Sequence, residues 1–148
     1  MNNGRIIVAG AGPAGLVSAT ILADAGITVT VLEAEATLPL NLRASTFHPP
    51  TLDMLAELKV AQPLIDQGLK APTLQYRDRV CGLIAEFDFG QIADLTDHPF
   101  RLQCEQFRLN QLLLARLATM DSADIRFGAK LTGATQNDDG VTVVLEGG

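Results

Sequence analysis

The N-terminal part of the chain alternates between apolar runs and glycine-rich turns, and this pattern predicts a strand, a helix and a second strand. Residues Ile6–Ala9 form the kind of apolar run that is typical of a strand buried on both faces of a parallel sheet. A helical pattern follows over residues 13–25, and Gly26 ends it. Residues 27–32 (I-T-V-T-V-L) are mostly β-branched and predict a second strand. The stretch therefore predicts a β-α-β unit with two parallel strands.

Three glycines separate the first predicted strand from the helix. Gly10, Gly12 and Gly15 have the spacing G-x-G-x-x-G. In this motif the first glycine permits a tight turn, the second lets a diphosphate approach the backbone, and the third lets helix and strand pack closely. Pro13 and Ala14 begin the helix, whose free N–H groups and positive dipole end point at such phosphates. We predict that these five residues bind a dinucleotide.

An acid closes the second predicted strand. Glu33, with Ala34 after it, stands about 20 residues past the glycines, where a carboxylate accepts hydrogen bonds from the hydroxyls of an adenosine ribose. A carboxylate here also disfavours a 2′-phosphate, so the pattern favours FAD or NAD over NADP. We therefore add Glu33 and Ala34 to the predicted dinucleotide site. The strand, the helix and the acid make this interpretation stronger than a glycine-rich turn in some other α/β protein.

The rest of the chain predicts helices interrupted by antiparallel hairpins. The predicted elements share clear helical spacing or alternation: helices over residues 49–58, 63–67 and 106–120, hairpins over residues 73–89 and 130–145, and a third parallel strand over residues 124–127, beside the second. A hairpin at residues 73–89 does not belong in a simple parallel sheet, which indicates that the chain leaves the nucleotide-binding domain there.

We accordingly predict an α/β fold, namely a Rossmann-like dinucleotide-binding βαβ unit with a parallel sheet plus antiparallel hairpins. Residues 1–72 would form the cofactor-binding βαβ unit and the following helices. Residues 73–99 would form a hairpin that begins a substrate-side layer, and residues 100–148 would return to the cofactor-binding domain with the third strand and a β-hairpin.

Composition narrows the classes of function. The chain has 148 residues, of which 47% are hydrophobic and 19% charged, as is typical of a globular domain. A net charge of −6 without a basic cluster disfavours a nucleic-acid partner. No apolar run approaches the about 20 residues of a membrane span, so we expect a cytoplasmic location. Two cysteines and two histidines without ligand spacing predict no metal site, and no residue pattern nominates a catalytic residue.

Four segments, in this order, resemble the N-terminal part of one flavoprotein family. They are residues 8–16 (V-A-G-A-G-P-A-G-L), residues 43–55 (R-A-S-T-F-H-P-P-T-L-D-M-L), residues 104–109 (C-E-Q-F-R-L), and residues 127–131 (F-G-A-K-L) with an Asp-Gly hairpin after them. The family is that of the single-component FAD-dependent aromatic hydroxylases related to para-hydroxybenzoate hydroxylase. Its second segment reads R-A-x-x-x-x-P-x-T-x-E-x-L, and Asp53 stands here where Glu is commoner.

The resemblance implies a particular FAD site. Glu33 would bind the adenosine ribose, Arg43 would reach the diphosphate, and the backbone at Leu131 would meet the adenine. A guanidinium suits the diphosphate because it hydrogen-bonds phosphate oxygens and neutralises their charge. Gln106 would bind the ribityl hydroxyls or the diphosphate, with Gln103 as the competing candidate. The complete enzyme would use NADH or NADPH and O2 to hydroxylate an aromatic, phenolic-type substrate.

The resemblance also sets an expectation about what the chain lacks. Family members continue into segments that hold the riboflavin half of FAD and most of the substrate-binding sheet, and the 148 residues contain no match to these. We therefore expect a fold that is incomplete relative to the family, inactive alone, and completed by a longer parent, a complementary chain or self-association. Two alternatives stay open: another FAD- or NAD-dependent dehydrogenase or oxidase, and a non-catalytic nucleotide-binding module.

Overall fold

A computed structural model describes residues 4–40 and 44–147. The strands in chain order are β1 (Ile6–Ala9), β2 (Val29–Leu32), β3 (Thr46–Phe47), β4 (Leu69–Ala71), β5 (Thr73–Asp78), β6 (Gly82–Asp88), β7 (Arg101–Gln103), β8 (Ala123–Arg126), β9 (Leu131–Asn137) and β10 (Gly140–Leu145). The helices are α1 (Pro13–Asp24), α2 (Pro49–Glu57), α3 (Ala61–Ile65) and α4 (Gln106–Leu117), with a 3₁₀ turn at Phe89–Ile92. These elements form two compact units, residues 1–41 with 110–148 and residues 42–109, and the boundary falls within α4.

The first unit is built on a parallel sheet with the strand order β1-β2-β8. Val31 of β2 lies between Val8 of β1 and Ile125 of β8, so both predicted parallel neighbours are in place. Every residue of β2 is buried because a strand pairs with it on each side and α1 packs against it. The predicted βαβ unit and its third strand are confirmed.

The prediction that β1 is buried on both faces is wrong. Ile6 and Ile7 are 39% and 37% exposed, although they lie in the same sheet as the buried β2. The reason is the strand order: within residues 4–40 and 44–147, β1 is an edge strand that pairs with β2 alone. An apolar run reports that a strand suits a buried position, not that both of its faces are covered.

Helix α4 and helix α1 are joined by an ion pair in the first unit. One guanidinium nitrogen of Arg116, Nη2, donates to both carboxylate oxygens of Asp24 at 2.7 and 2.9 Å. Leu113 and Leu117 of α4 are fully buried. The β9–β10 hairpin follows β8, with the expected Asp-Gly turn and a register shift between Val144 and Leu145.

The second unit combines a small antiparallel sheet, two helices and a hairpin. The sheet has the order β3-β7-β4, with Leu102 of the central β7 fully buried. Helices α2 and α3 pack together through fully buried leucines, including Leu52, Leu55 and Leu64. Strands β5 and β6 form the predicted antiparallel hairpin, on which the rings of Tyr76 and Phe87 meet edge to face at 5.8 Å. Sequence patterning did not predict β3 and β4, because two or three residues are too short to show alternation.

Candidate cofactor site

Three chain segments meet at the carboxyl edge of the parallel sheet in the first unit. Gly10 follows β1, and its N–H donates to the carbonyl of Leu32 at 2.7 Å. Glu33 follows β2, and its N–H donates to the carbonyl of Arg126 on β8 at 2.8 Å. The carboxyl edge of such a sheet is where α/β proteins bind ligands, because the loops after neighbouring parallel strands converge there.

The glycine loop has the geometry that its spacing predicts. Gly10 has a φ of +98°, a conformation that favours glycine. A Cβ on Gly15 would lie 2.0 Å from the carbonyl oxygen of Gly10, so only a hydrogen fits between helix and loop. Gly12 differs: within the described residues a Cβ there would meet no atom within 4 Å, and Gly12 is the N-cap of α1. Gly15 is therefore required by packing, whereas Gly12 borders open space.

Glu33 is held in place by two backbone groups. Its Oε2 accepts the N–H of Ala11, in the glycine loop, at 2.7 Å, and its Oε1 accepts the N–H of Glu35 at 2.9 Å. An ionised carboxylate has about four acceptor positions, so each oxygen can accept a further hydrogen bond. The side chain is thus oriented before any ligand binds, and it retains the capacity to accept two hydroxyl donors.

The segment after β8 is fixed to the segment after β2. The N–H of Ala129 donates to the carbonyl of Glu33 at 2.8 Å, and the N–H of Gly128 donates to the carbonyl of Glu35 at 2.9 Å. Leu131, the predicted adenine contact, lies two residues further on, where β9 begins, and is half-buried. Sequence reasoning named Glu33 and Leu131 separately, and the structure links their segments through backbone hydrogen bonds.

The predicted residues fall into three groups. The first unit brings together the glycine loop, the first turn of α1, the residues after β2 and the start of β9, namely Gly10, Gly12, Pro13, Ala14, Gly15, Glu33, Ala34 and Leu131. Gln106 is the first residue of α4, belongs to the second unit and is half-buried. Arg43 lies outside the described residues. The role of each of these residues in binding stays a prediction.

In the second unit the chain around Gln106 is tied to the chain that follows Arg43. The N–H of Gln106 donates to the carbonyl of Ala44, and the N–H of Cys104 donates to the carbonyl of Ser45, both at 2.9 Å. Beside them, Arg108 donates to Glu105 at 2.6 Å, and this hydrogen bond lowers the pKa of Glu105. Burial raises the pKa of the Cys104 thiol, so this cysteine stays protonated and serves as a small apolar residue.

Sequence reasoning missed a polar cluster in the second unit. Asp53 on α2 accepts hydrogen bonds from Nδ1 of His98 and from the hydroxyl of Thr96, each at 2.7 Å. These bonds, that of His98 first, hold the pKa of Asp53 below its usual value. The three residues border a cavity of about 460 Å³. The available signal was Asp53 itself, an acid at a position where the resembled family also has one, but its partners lie more than forty positions along the chain.

The residues of the first unit fit the ADP half of a dinucleotide. In the described residues, open space lies next to Gly12, and no side chain caps the N-terminus of α1. The first-turn N–H groups and the helix dipole can therefore receive a diphosphate. Glu33 offers free acceptor positions for the ribose hydroxyls from a fixed location.

Comparison with known proteins agrees with this geometry. A family model described as FAD binding domain matches residues 4–148. This chain belongs to the FAD binding domain family. Among curated relatives, it is 30% identical to para-nitrophenol 4-monooxygenase of Pseudomonas sp. (strain WBC-3), over 93% of this chain and 34% of that protein.

Solved structures of relatives have the same fold as this FAD binding domain. The crystal structure of p-nitrophenol 4-monooxygenase PnpA from Pseudomonas putida DLL-E4 superposes with a TM-score of 0.91 at 31% identity, over 97% of this chain and 37% of PnpA. A ternary complex of aklavinone-11 hydroxylase with FAD and aklavinone gives a TM-score of 0.81 at 27% identity, over 97% of this chain and 29% of that chain. The predicted fold class and the predicted resemblance to FAD-dependent aromatic hydroxylases are confirmed.

The match has a defined extent. This chain spans about a third of the length of the relatives that it matches. FAD, the cofactor expected from the resemblance, is confirmed as the cofactor of the family to which the domain belongs. Of the helices within residues 4–40 and 44–147, none has the length and apolar character needed to cross a membrane.

Proposed function

We propose that the native protein containing this chain is a FAD-dependent monooxygenase that hydroxylates an aromatic, phenolic-type substrate with NADH or NADPH and O2. The chain supplies the binding site for the ADP half of FAD. The observation that carries the proposal is the fixed position of the Glu33 carboxylate. The N–H groups of Ala11 and Glu35 hold it at the carboxyl edge of the parallel sheet, beside the glycine loop. The similarity to enzymes named for para-nitrophenol supports the phenolic substrate class.

Each part of the chain has a separate task in this proposal. The first-turn N–H groups of Ala14 and Gly15 and the dipole of α1 bind the diphosphate, while Glu33 accepts the ribose hydroxyls. Arg43 adds a positive charge for the diphosphate, and Gln106 adds an amide for the ribityl chain or the diphosphate. Pro13, Ala34 and the backbone at Leu131 also line the nucleotide-binding site. No residue of this chain is assigned a catalytic role.

FAD, when bound, supplies the redox chemistry: electrons from NADH or NADPH reduce O2, one oxygen atom enters the aromatic ring and the other leaves as water. This chain's own contribution is to bind and orient FAD.

The hairpin of residues 73–99 begins a substrate-side layer, and either a longer parent, a complementary chain or self-association completes the site. We place the protein in the cytoplasm.

The test is made on the full-length native polypeptide. After FAD is added and unbound flavin is removed by desalting, flavin absorbance in one-to-one proportion to protein is expected. Phenols that carry hydrogen at the attacked ring position should then increase NADH or NADPH oxidation and give a product one oxygen atom heavier. Para-nitrophenol attacked at the carbon that carries its nitro group should instead release nitrite and give a quinone. Retained flavin without oxygen insertion into any phenol would support a dehydrogenase or oxidase instead. Loss of all flavin on desalting would contradict the proposal and favour a non-catalytic module.

Glu33→Gln with the control Glu35→Gln tests the site itself. Both variants remove one negative charge from the same loop, but only the Glu33 carboxylate accepts hydrogen bonds from the glycine loop. Loss of the charge-assisted bonds to the ribose is worth about 1.5–3 kcal/mol, which weakens FAD binding by about 10- to 100-fold. Glu35→Gln should bind FAD like the parent protein. Equal affinities in all three proteins would remove Glu33 from the site.

A further inference from the structure

The segment that contains Gln106 hydrogen-bonds to the segment that follows Arg43 in the sequence. Ala44, which follows Arg43 in the sequence, accepts the N–H of Gln106 at 2.9 Å. Ser45 accepts the N–H of Cys104 at 2.9 Å, and β3 then pairs with β7. The register between these two segments therefore determines where Ala44 lies relative to Gln106.

The backbone of these two segments pairs over a short stretch only. Strand β3 contains only two residues, which pair as Thr46 with Gln103 and Phe47 with Leu102. A slip by one residue would turn the buried Phe47 out of the core, so the register has one apolar anchor. A strand this short makes few ladder hydrogen bonds, and side-chain bonds across the pair then carry more of the specificity.

The side-chain amide of Gln103 makes such bonds through both its nitrogen and its oxygen. Its Nε2 donates to Oγ of Ser45 at 2.7 Å, and its Oε1 accepts from the hydroxyl of Thr46 at 3.4 Å. The carbonyls and N–H groups of the same segments are paired alongside. The amide is thus engaged with β3 and with the residue before it.

We propose that Gln103 is a positioning residue, which fixes the segment that begins at Ala44 against the N-terminus of α4. This inference rests on the proposed function, because it concerns residues assigned to the FAD site. Small displacements of a binding group cost affinity even when the group itself is unchanged. Gln103 therefore acts on FAD through Ser45 and the backbone that Ser45 carries.

A double-mutant cycle in the full-length native polypeptide tests the route of action. Gln103→Leu and Ser45→Ala should each weaken FAD binding by about three- to tenfold, measured by flavin fluorescence. The double variant should be no more than about twofold weaker than the worse single variant, because both changes remove the same bond. Ser45→Thr keeps the hydroxyl and should bind FAD like the parent. If the two losses multiply, or if Gln103→Leu leaves affinity unchanged, the positioning role is overturned.

A matched control comes from the hairpin of the same unit. Gln75 is also an exposed glutamine that hydrogen-bonds two neighbouring side chains, accepting from Nη1 of Arg77 at 2.8 Å and donating to Glu86. Gln75→Leu should leave FAD affinity unchanged. An equal loss in Gln75→Leu and Gln103→Leu would show a general effect of removing a surface amide and would contradict the proposal.

Amide hydrogen exchange separates this inference from the proposed function, because it needs no FAD. Without added cofactor, Gln103→Leu and Ser45→Ala should each speed exchange at the N–H groups of Cys104 and Gln106 by about threefold or more. Amides of β8, in the other unit, should not change. Faster exchange in a protein that never retains FAD would support the register role and sink the proposed function. Unchanged exchange at both amides would overturn the register role whether or not FAD binds.

Discussion

The glycine loop allows fold and cofactor binding to be separated by single alanine substitutions. In Gly15→Ala the new Cβ would stand 2.0 Å from the carbonyl oxygen of Gly10, whereas real Cβ contacts are essentially never below 3.0 Å. Helix and loop must therefore move apart by about an ångström. The obstacle is backbone, which cannot rotate away as a side chain can. We expect a loss of about 2–3 kcal/mol in the free energy of unfolding, at the upper end of overpacking costs.

Gly12→Ala should have the opposite profile. Among the described residues a Cβ on Gly12 would meet no atom within 4 Å, and Gly12 has a φ of −72° that any residue adopts. The loss in stability should stay below about 1 kcal/mol, the usual scale of a changed N-cap. The methyl group would, however, stand where the diphosphate is proposed to approach the backbone. FAD binding should therefore weaken by about tenfold or more.

The assay is thermal unfolding by circular dichroism together with FAD affinity by fluorescence, with Gly4→Ala as the control. A Cβ on Gly4 also meets no atom within 4 Å in the described residues, and Gly4 lies before β1 rather than in the loop. Gly15→Ala should lower Tm by about 4–12 °C relative to that control. A Gly15→Ala protein as stable as Gly4→Ala would refute the packing argument, and a Gly12→Ala protein with parental FAD affinity would refute the placement of the diphosphate.

Three further predictions concern residues away from the loop. Because the hydrogen bond from His98 lowers the pKa of folded Asp53, its contribution to stability is present above about pH 4 and is lost as pH falls through the folded value. Urea midpoints of Asp53→Asn and the parent should thus differ at neutral pH and converge in acid, and a constant difference would contradict this. Arg116→Met should cost about 0.5–1 kcal/mol in urea unfolding and make a second change, Asp24→Asn, nearly neutral; additive losses would show that the two do not interact. Lys59 has a φ of +59°, so Lys59→Gly should raise stability by about 0.5–1 kcal/mol, and a lower Tm would count against strain there.

Local patterns along the chain were sufficient to predict the elements that carry the family's motifs. The apolar run of β1, the β-branched residues of β2, the glycine spacing between them and the helical pattern of α1 each depend on neighbours within a few residues. They can therefore be recognised from the sequence. Glu33 was found in the same way, since its distance along the chain from the glycines is fixed by one strand, one helix and one turn.

Contacts between residues far apart in the sequence became known only from the packed fold. The hydrogen bond from Ala11 to Glu33, the attachment of Gly128 and Ala129 to the segment after β2, and the contact between Asp53 and His98 all depend on chain paths that no local pattern encodes. The hydrogen-bond partners of Gln103 also could not be predicted from the sequence, because a glutamine can contact a cofactor or a neighbouring strand equally well. The physical reason is that side-chain periodicity indicates whether a residue suits a buried or an exposed position. Which other residue it contacts depends on how the whole chain packs. The exposure of β1 has the same cause. Its apolar residues predicted a strand, and only the order of the strands in the sheet showed that this strand lies at the edge.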